Sequence, residues 1–249
     1  MKKLLALAVV AALMMVVGCS KQSPMSSSTP SAIESSSEEM GRRGGIANAT
    51  ATYKVVIENL TPNNGGGASQ PFSPLVIATH NPKFHIFRDG KMASYELGRI
   101  AEDAQSTGLL NMLGSAPRVY DYAMGDGVVL PGSSTELMVE ARVGFRQLSL
   151  VGMLVNTNDG FVGADGLRLP KFGSEMHYLY AYDAGTEKNT EMTDHIPGPC
   201  CGNPGVRVPE NKRISTHDGI EGVGDLDPAV WGWRGPAAKV TITLVSINS

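Results

Sequence analysis

The sequence predicts an all-β fold, an antiparallel β-sandwich of about eight strands with a short helical insertion. Three observations carry that prediction. Tyr53-Lys54-Val55-Val56-Ile57-Glu58-Asn59-Leu60 is rich in β-branched residues and runs into Thr61-Pro62-Asn63-Asn64-Gly65, a strand followed by a turn. Near the other end, Ala238-Lys239-Val240-Thr241-Ile242-Thr243-Leu244-Val245 alternates apolar and polar residues over most of its length, as a half-buried strand does. The chain of 249 residues also carries 29 Gly and 15 Pro, enough for many turns, and no segment shows the strand–helix rhythm of a parallel sheet.

The elements follow in order. Lys2 and Lys3 precede an apolar run, Leu4 to Val17, shorter than the ~20 residues of a membrane span. Gly18 and Cys19 come next, so residues 1–18 read as a signal peptide. Val16-Val17-Gly18-Cys19 resembles the bacterial lipobox, which implies lipidation of Cys19, with acyl chains that gain about 0.8 kcal/mol per buried methylene. Ser20 stands where an Asp would argue for inner-membrane retention, so the expected location is the bacterial cell envelope, as an outer-membrane lipoprotein. Losing Lys2 and Lys3 lowers the formal charge by two, from −3 to −5. Residues 19–51 then form a Ser-, Pro- and charge-rich tether with almost nothing to bury. About thirty flexible residues span roughly 30 Å.

The globular part is expected over residues 52–249. Ser94–Ala104 reads as a helix, with Ser94 as N-cap and Leu97, Ile100, Ala101 and Ala104 on one face. A shorter helical turn follows at Thr107–Leu113. Strand signals recur at Glu136–Val143, Gln147–Leu154 and Tyr178–Tyr182. The first and last strands are expected to pair, because domain termini often lie close together. Cys200 and Cys201 are adjacent. Such a pair rarely bridges itself; in an exported protein it forms that strained ring, pairs with another chain, or stays free, and each is compatible with a local structural role.

Composition and motif excludes several functions. Weak acidity, with a pI near 6.0, offers no basic footprint for nucleic acid. Gly65-Gly66-Gly67 lacks the Lys-Ser or Lys-Thr of a phosphate loop. Ser73, His80 and Asp89 have the residue types of a hydrolase triad but no Gly-x-Ser-x-Gly elbow, and His80 before Asn81-Pro82 is better used to tie down a turn. His177, His195 and His217 lack ligand spacing. Trp231-Gly232-Trp233 can stack on a sugar or cover an open edge of the sandwich. Asp159 and Asp183 sit in Asp-Gly and Asp-Ala-Gly sequences, where Asp is favoured as a turn residue in its own right. Asp165 reads as a second turn carboxylate, and Asp225 and Asp227 as solvated loop charges.

Four stretches together resemble the spondin N-terminal domain family. They are Phe72-Ser73-Pro74-Leu75-Val76-Ile77-Ala78-Thr79-His80-Asn81-Pro82; Gly90-Lys91-Met92-Ala93-Ser94 with Leu97 and Ala101-Glu102; Asn156-Thr157-Asn158-Asp159-Gly160-Phe161-Val162-Gly163; and Tyr182-Asp183-Ala184-Gly185-Thr186-Glu187. The resemblance spans about residues 52–247. It implies a sandwich of about eight strands, an extracellular setting, a bound calcium ion (Ca2+), adhesion or matrix binding, and no catalysis. By that match Asp159, Asp183 and Glu187 are the side-chain ligands of the metal. Glu187 departs from the Asp usual in animal members, being one methylene longer but still a hard oxygen donor. The expected function is a lipid-anchored, calcium-binding recognition module, facing the membrane through its anchor and an extracellular protein or glycan ligand through its surface. The alternative is a metal-assisted extracytoplasmic hydrolase acting on polysaccharide.

Overall fold

The computed structural model describes residues 49–64, 67–202 and 205–248. The signal peptide, Cys19 and residues 20–48 of the tether lie outside those residues. In chain order, β1 (Thr50–Asn59) is followed by the small hairpin β2 (Asn63–Asn64) and β3 (Gly67–Ala68), then β4 (Val76–His80), α1 (Tyr95–Asp103), α2 (Thr107–Ser115) and β5 (Val119–Met124). After these come β6 (Ser134–Arg142), β7 (Gln147–Met153), β8 (Gly160–Arg168), β9 (Ser174–Leu179) and β10 (Ala181–Asp183). Finally there are β11 (Ser215–Thr216), α3 (Pro228–Trp231) and β12 (Ala238–Asn248). Among the described residues no helix is long and apolar enough to cross a membrane.

Two antiparallel sheets face each other, a four-stranded one in the order β6-β1-β12-β9 and a six-stranded one in the order β11-β10-β8-β7-β4-β5. The predicted sandwich is therefore present, with ten strands in its two sheets rather than about eight. β1 and β12 pair along their whole lengths, from Thr50 opposite Asn248 to Asn59 opposite Ala238. β1 starts two residues ahead of Thr52. The inner face alternates as the sequence does: Tyr53, Val55 and Ile57 pack with Val139, Val240 and Ile242, against Ile77, Leu150 and Val162 of the facing sheet.

The insertion consists of α1 and α2, between β4 and β5. Ser94 Oγ accepts from Leu97 N at 3.2 Å, and Ala104 ends α1 in the left-handed region with φ +56°. Leu97, Ile100, Leu109 and Leu113 lie on the outer side of the six-stranded sheet over Val76, Ala78, Val151 and Phe161. β4 is thereby buried on both faces, so Val-Ile-Ala-Thr-His shows no alternation to read.

The segment Tyr178–Tyr182 is not one strand. It breaks at Tyr180: Leu179 pairs with Ala238 in one sheet and Ala181 with Val162 in the other. The chain changes sheets at an exposed tyrosine between two buried residues.

Candidate functional site

The loop between β7 and β8 places four consecutive buried polar residues, Asn156, Thr157, Asn158 and Asp159, at one end of the six-stranded sheet. Burying polar groups is costly unless each finds a partner, and here the partners come from distant segments. Thr157 Oγ1 donates to Leu154 O at 2.7 Å and accepts from Gly160 N at 2.9 Å, closing the hairpin. Asn156 donates through Nδ2 to Ser69 O, receives Cys200 N on Oδ1, and gives its own N–H to Gln70 Oε1. Asn158 donates to Thr190 Oγ1 and His195 O, and accepts from Glu191 N. Asp159 Oδ2 accepts from Thr186 N at 2.7 Å, Thr186 Oγ1 at 3.1 Å and Glu187 N at 3.0 Å. The loop is thus a hub to which residues 69–70, 184–195 and 198–202 are tied.

Within the loop 156–159, one carboxylate oxygen has no hydrogen-bond partner among the described residues. Asp159 Oδ1 is buried and has no hydrogen-bond partner. Burial pushes the Asp159 carboxyl up to about 7, the Asp183 charge adds to this, and the three donors on Oδ2 pull the other way. Asp183 is held in place by the ladder, since it pairs with Gly160 across β10 and β8 and Ala184 N donates to Asp159 O. Its Oδ1 accepts from Gly185 N and its Oδ2 from Asn189 Nδ2, each at 2.6 Å. Gly185 has φ +71°, and a Cβ there would lie 2.6 Å from Lys212 O, so the turn that carries Glu187 past Asp183 requires glycine.

Glu187 is 2% exposed, and its Oε1 lies 3.0 Å from Arg207 Nε. Arg207 also pairs with Asp103 of α1, and Arg99 reaches Asp103 at 2.8 Å. Burial raises the Glu187 carboxyl to about 8 against the pull of Arg207, with Glu102, Asp159 and Asp103 adding to the rise. Of the three carboxylates expected to share a metal, the Asp183 charge raises Asp159 and the Asp159 charge raises Glu187. The Glu187 side chain itself turns to Arg207. Among the described residues, no three His, Cys, Asp or Glu side chains are grouped as a cage for a metal. The orphaned, buried Asp159 Oδ1 and the adjacent Asp183 carboxylate fit a hard cation whose remaining ligands are backbone carbonyls and water.

The remaining sequence candidates go elsewhere. Ser73 Oγ accepts from Met153 N, whereas His80 contacts Asn81 O through Nδ1 at 2.8 Å and Ser149 Oγ through Nε2 at 2.7 Å, so Ser73 and His80 make no triad. Asp165 pairs with His85 at 2.5 Å and accepts from Ser149 Oγ. Asp225 and Asp227 are exposed loop charges, as expected; Asp225 also receives Thr193 N and Oγ1, and Asp227 caps α3 through Ala229 N. Trp231 and Trp233 pack against the core. Cys200 and Cys201 form the bridge to each other that adjacent cysteines rarely make. Asn156 Oδ1 on Cys200 N, together with Gly198 O receiving Cys201 N and Gly202 N, holds the two cysteines in one tight turn.

Sequence reasoning missed Glu191. It is buried, sits at φ +53°, and its carboxylate accepts from Glu221 N and Gly222 N at 2.6 Å and from Val223 N at 2.8 Å. That nest fixes the 219–227 loop beside the hub. No local pattern announces it, because its donors lie some thirty residues downstream.

Two comparisons with known proteins bear on this arrangement. A family model described as Spondin_N matches residues 52–197, more than half of the chain, including the hub loop, Asp183 and Glu187. No curated protein matches the chain. β11, α3 and β12 lie beyond the matched residues, although β12 is central to the four-stranded sheet. The four stretches, the sandwich and the matched model agree, and the chain belongs to the spondin N-terminal domain family, a recognition-type family.

Proposed function

We propose that this chain is a calcium-binding adhesion module held at the bacterial cell surface by a lipid on Cys19. Asp159 and Asp183 supply the first side-chain oxygens to the ion, and Glu187 joins them by leaving Arg207 or through a bridging water. The observation that carries the proposal is the unpaired, buried Asp159 Oδ1 beside Asp183. A divalent cation satisfies that oxygen and removes the repulsion between the two carboxylates, which hydrogen bonding alone does not. Calcium then locks the loops 156–159 and 183–191 together, and these loops form the recognition end of the sandwich.

Calorimetric titration of chelator-treated protein tests the metal. Calcium should bind the wild type, bind Asp183→Ala far more weakly, and be preferred over magnesium, which demands a tighter octahedron. At a hundred times the dissociation constant, calcium should add about 2.7 kcal/mol of stability. Equal affinity in the two proteins, or no binding at millimolar calcium, rules the site out. Metabolic palmitate labelling tests the anchor separately: wild type should incorporate label and Cys19→Ala should not.

A further inference from the structure

The opposite end of the sandwich has a different chemistry. Where β1 begins, β6 ends and β12 runs out, the four-stranded sheet and the loops that carry Arg146 and Lys171 leave an open-mouthed cavity of about 180 Å3 lined by Ala51, Tyr53 and Leu244. Arg142, Arg146 and Lys171 line the same mouth. Among the described residues, no carboxylate lies within 4 Å of any of these three cations. Arg142 is held in place by aromatic faces, its Cζ lying 5.0 Å from the ring centroids of both Tyr120 and Phe145.

An apolar hole with a cationic rim is complementary to one class of molecule, an apolar tail that ends in an anion. An apolar cavity of about 150 Å3 accepts a benzene ring, so this mouth has room for one chain segment and not two. The head then meets guanidinium groups, whose fork suits a carboxylate. We propose that this mouth binds a free fatty acid, with its acyl segment between Ala51, Tyr53 and Leu244 and its carboxylate on Arg146 and Lys171. The site is independent of calcium and of the lipid on Cys19.

The test is calorimetric titration of the full chain in calcium-free buffer with decanoate, below its micellar concentration. Decanol, decyltrimethylammonium and decyl phosphate serve as controls. Decanoate should bind with one-to-one stoichiometry, at least tenfold more tightly than decanol or the cationic control, and more weakly at high salt. Arg146→Ala and Lys171→Ala should each weaken it about tenfold, the equivalent of 1.4 kcal/mol. Ala51→Phe, which fills the cavity, should abolish it. All variants are made in the full chain, so binding by residues outside the mouth is common to all of them. Should Ala51→Phe fail to fold, as judged by near-UV circular dichroism, the Arg146→Glu/Lys171→Glu double variant takes its place and should also lose binding. Equal affinity for decanoate and decanol, unchanged affinity in the charge variants, binding to anionic vesicles but not to monomeric decanoate, or a tenfold preference for the phosphate would each overturn the assignment.

Discussion

Asp159→Asn is expected to stabilise the calcium-free protein at pH 8 and to leave it no more stable at pH 4.5. The carboxyl is raised from its ordinary 3.8 to about 7 in the folded chain, chiefly by burial. Between those values the native state binds more protons than the unfolded state, so calcium-free stability falls as pH rises from about 4 to 7. At 1.36 kcal/mol per unit, ionising Asp159 in place costs the fold up to about 4 kcal/mol above pH 7. An amide keeps one oxygen for Thr186 N, Thr186 Oγ1 and Glu187 N, and removes the buried charge facing Asp183. Its NH2 group takes the position of the unpaired Oδ1, which returns about 1–3 kcal/mol of the gain if the amide finds no acceptor. A net gain of about 1–3 kcal/mol at pH 8 corresponds to a rise in Tm of about 2–12 °C for a domain of this size. Differential scanning calorimetry with chelator at the two pH values measures it. Millimolar calcium should then reverse the order at pH 8, stabilising the wild type and not the variant. A variant that is destabilised equally at both pH values would refute the reasoning, because the carboxylate would then act only as a hydrogen-bond anchor.

Three further outcomes are expected. Glu191→Gln replaces one of the two oxygens that receive Glu221, Gly222 and Val223 N–H groups, and should cost about 2–4 kcal/mol in urea denaturation; a loss under 1 kcal/mol counts against the nest. Reduction of Cys200–Cys201 should cost only about 1 kcal/mol, because a bridge between neighbours constrains the unfolded chain little; a loss above 3 kcal/mol in the same assay shows that the bridge carries the hub. Gly185→Ala forces a Cβ against Lys212 O, and should both lower Tm and weaken calcium binding by calorimetry; unchanged values for both contradict the turn geometry.

What the sequence reveals and conceals follows from where each side chain finds its partner. β1, β6 and β12 have one face on the core and one on solvent, so their period of two is visible. The Ser94 cap is legible because its partner, Leu97 N, is three residues away. β4 is covered on both faces, and β8 carries Gly160, Gly163 and Gly166, so neither shows alternation or propensity. Gly163 nevertheless belongs in the strand: a Cβ there would lie 2.8 Å from the Phe87 ring, which packs on the sheet at that point. Asp159 and Asp183 are singled out by resemblance to a family, whereas the salt link of Glu187 to Arg207 depends on a contact twenty residues apart that no spacing rule anticipates.

The two ends of the sandwich are tied to opposite ends of the same strands. Thr50 and Asn248 pair at the end where Arg142 lies opposite Thr50, while Asn59, at the far end of β1, donates to Gln70 O, and Gln70 Oε1 accepts from Asn156 of the hub. Nine residue steps of extended chain separate Thr50 from Asn59, about 30 Å at 3.4 Å per residue. β8 runs the same distance in the facing sheet, from Gly160 beside Asp159 to Arg168 opposite Gln147. The carboxylate hub is therefore held a full strand length from the point where the chain enters the domain, with a rigid double sheet between.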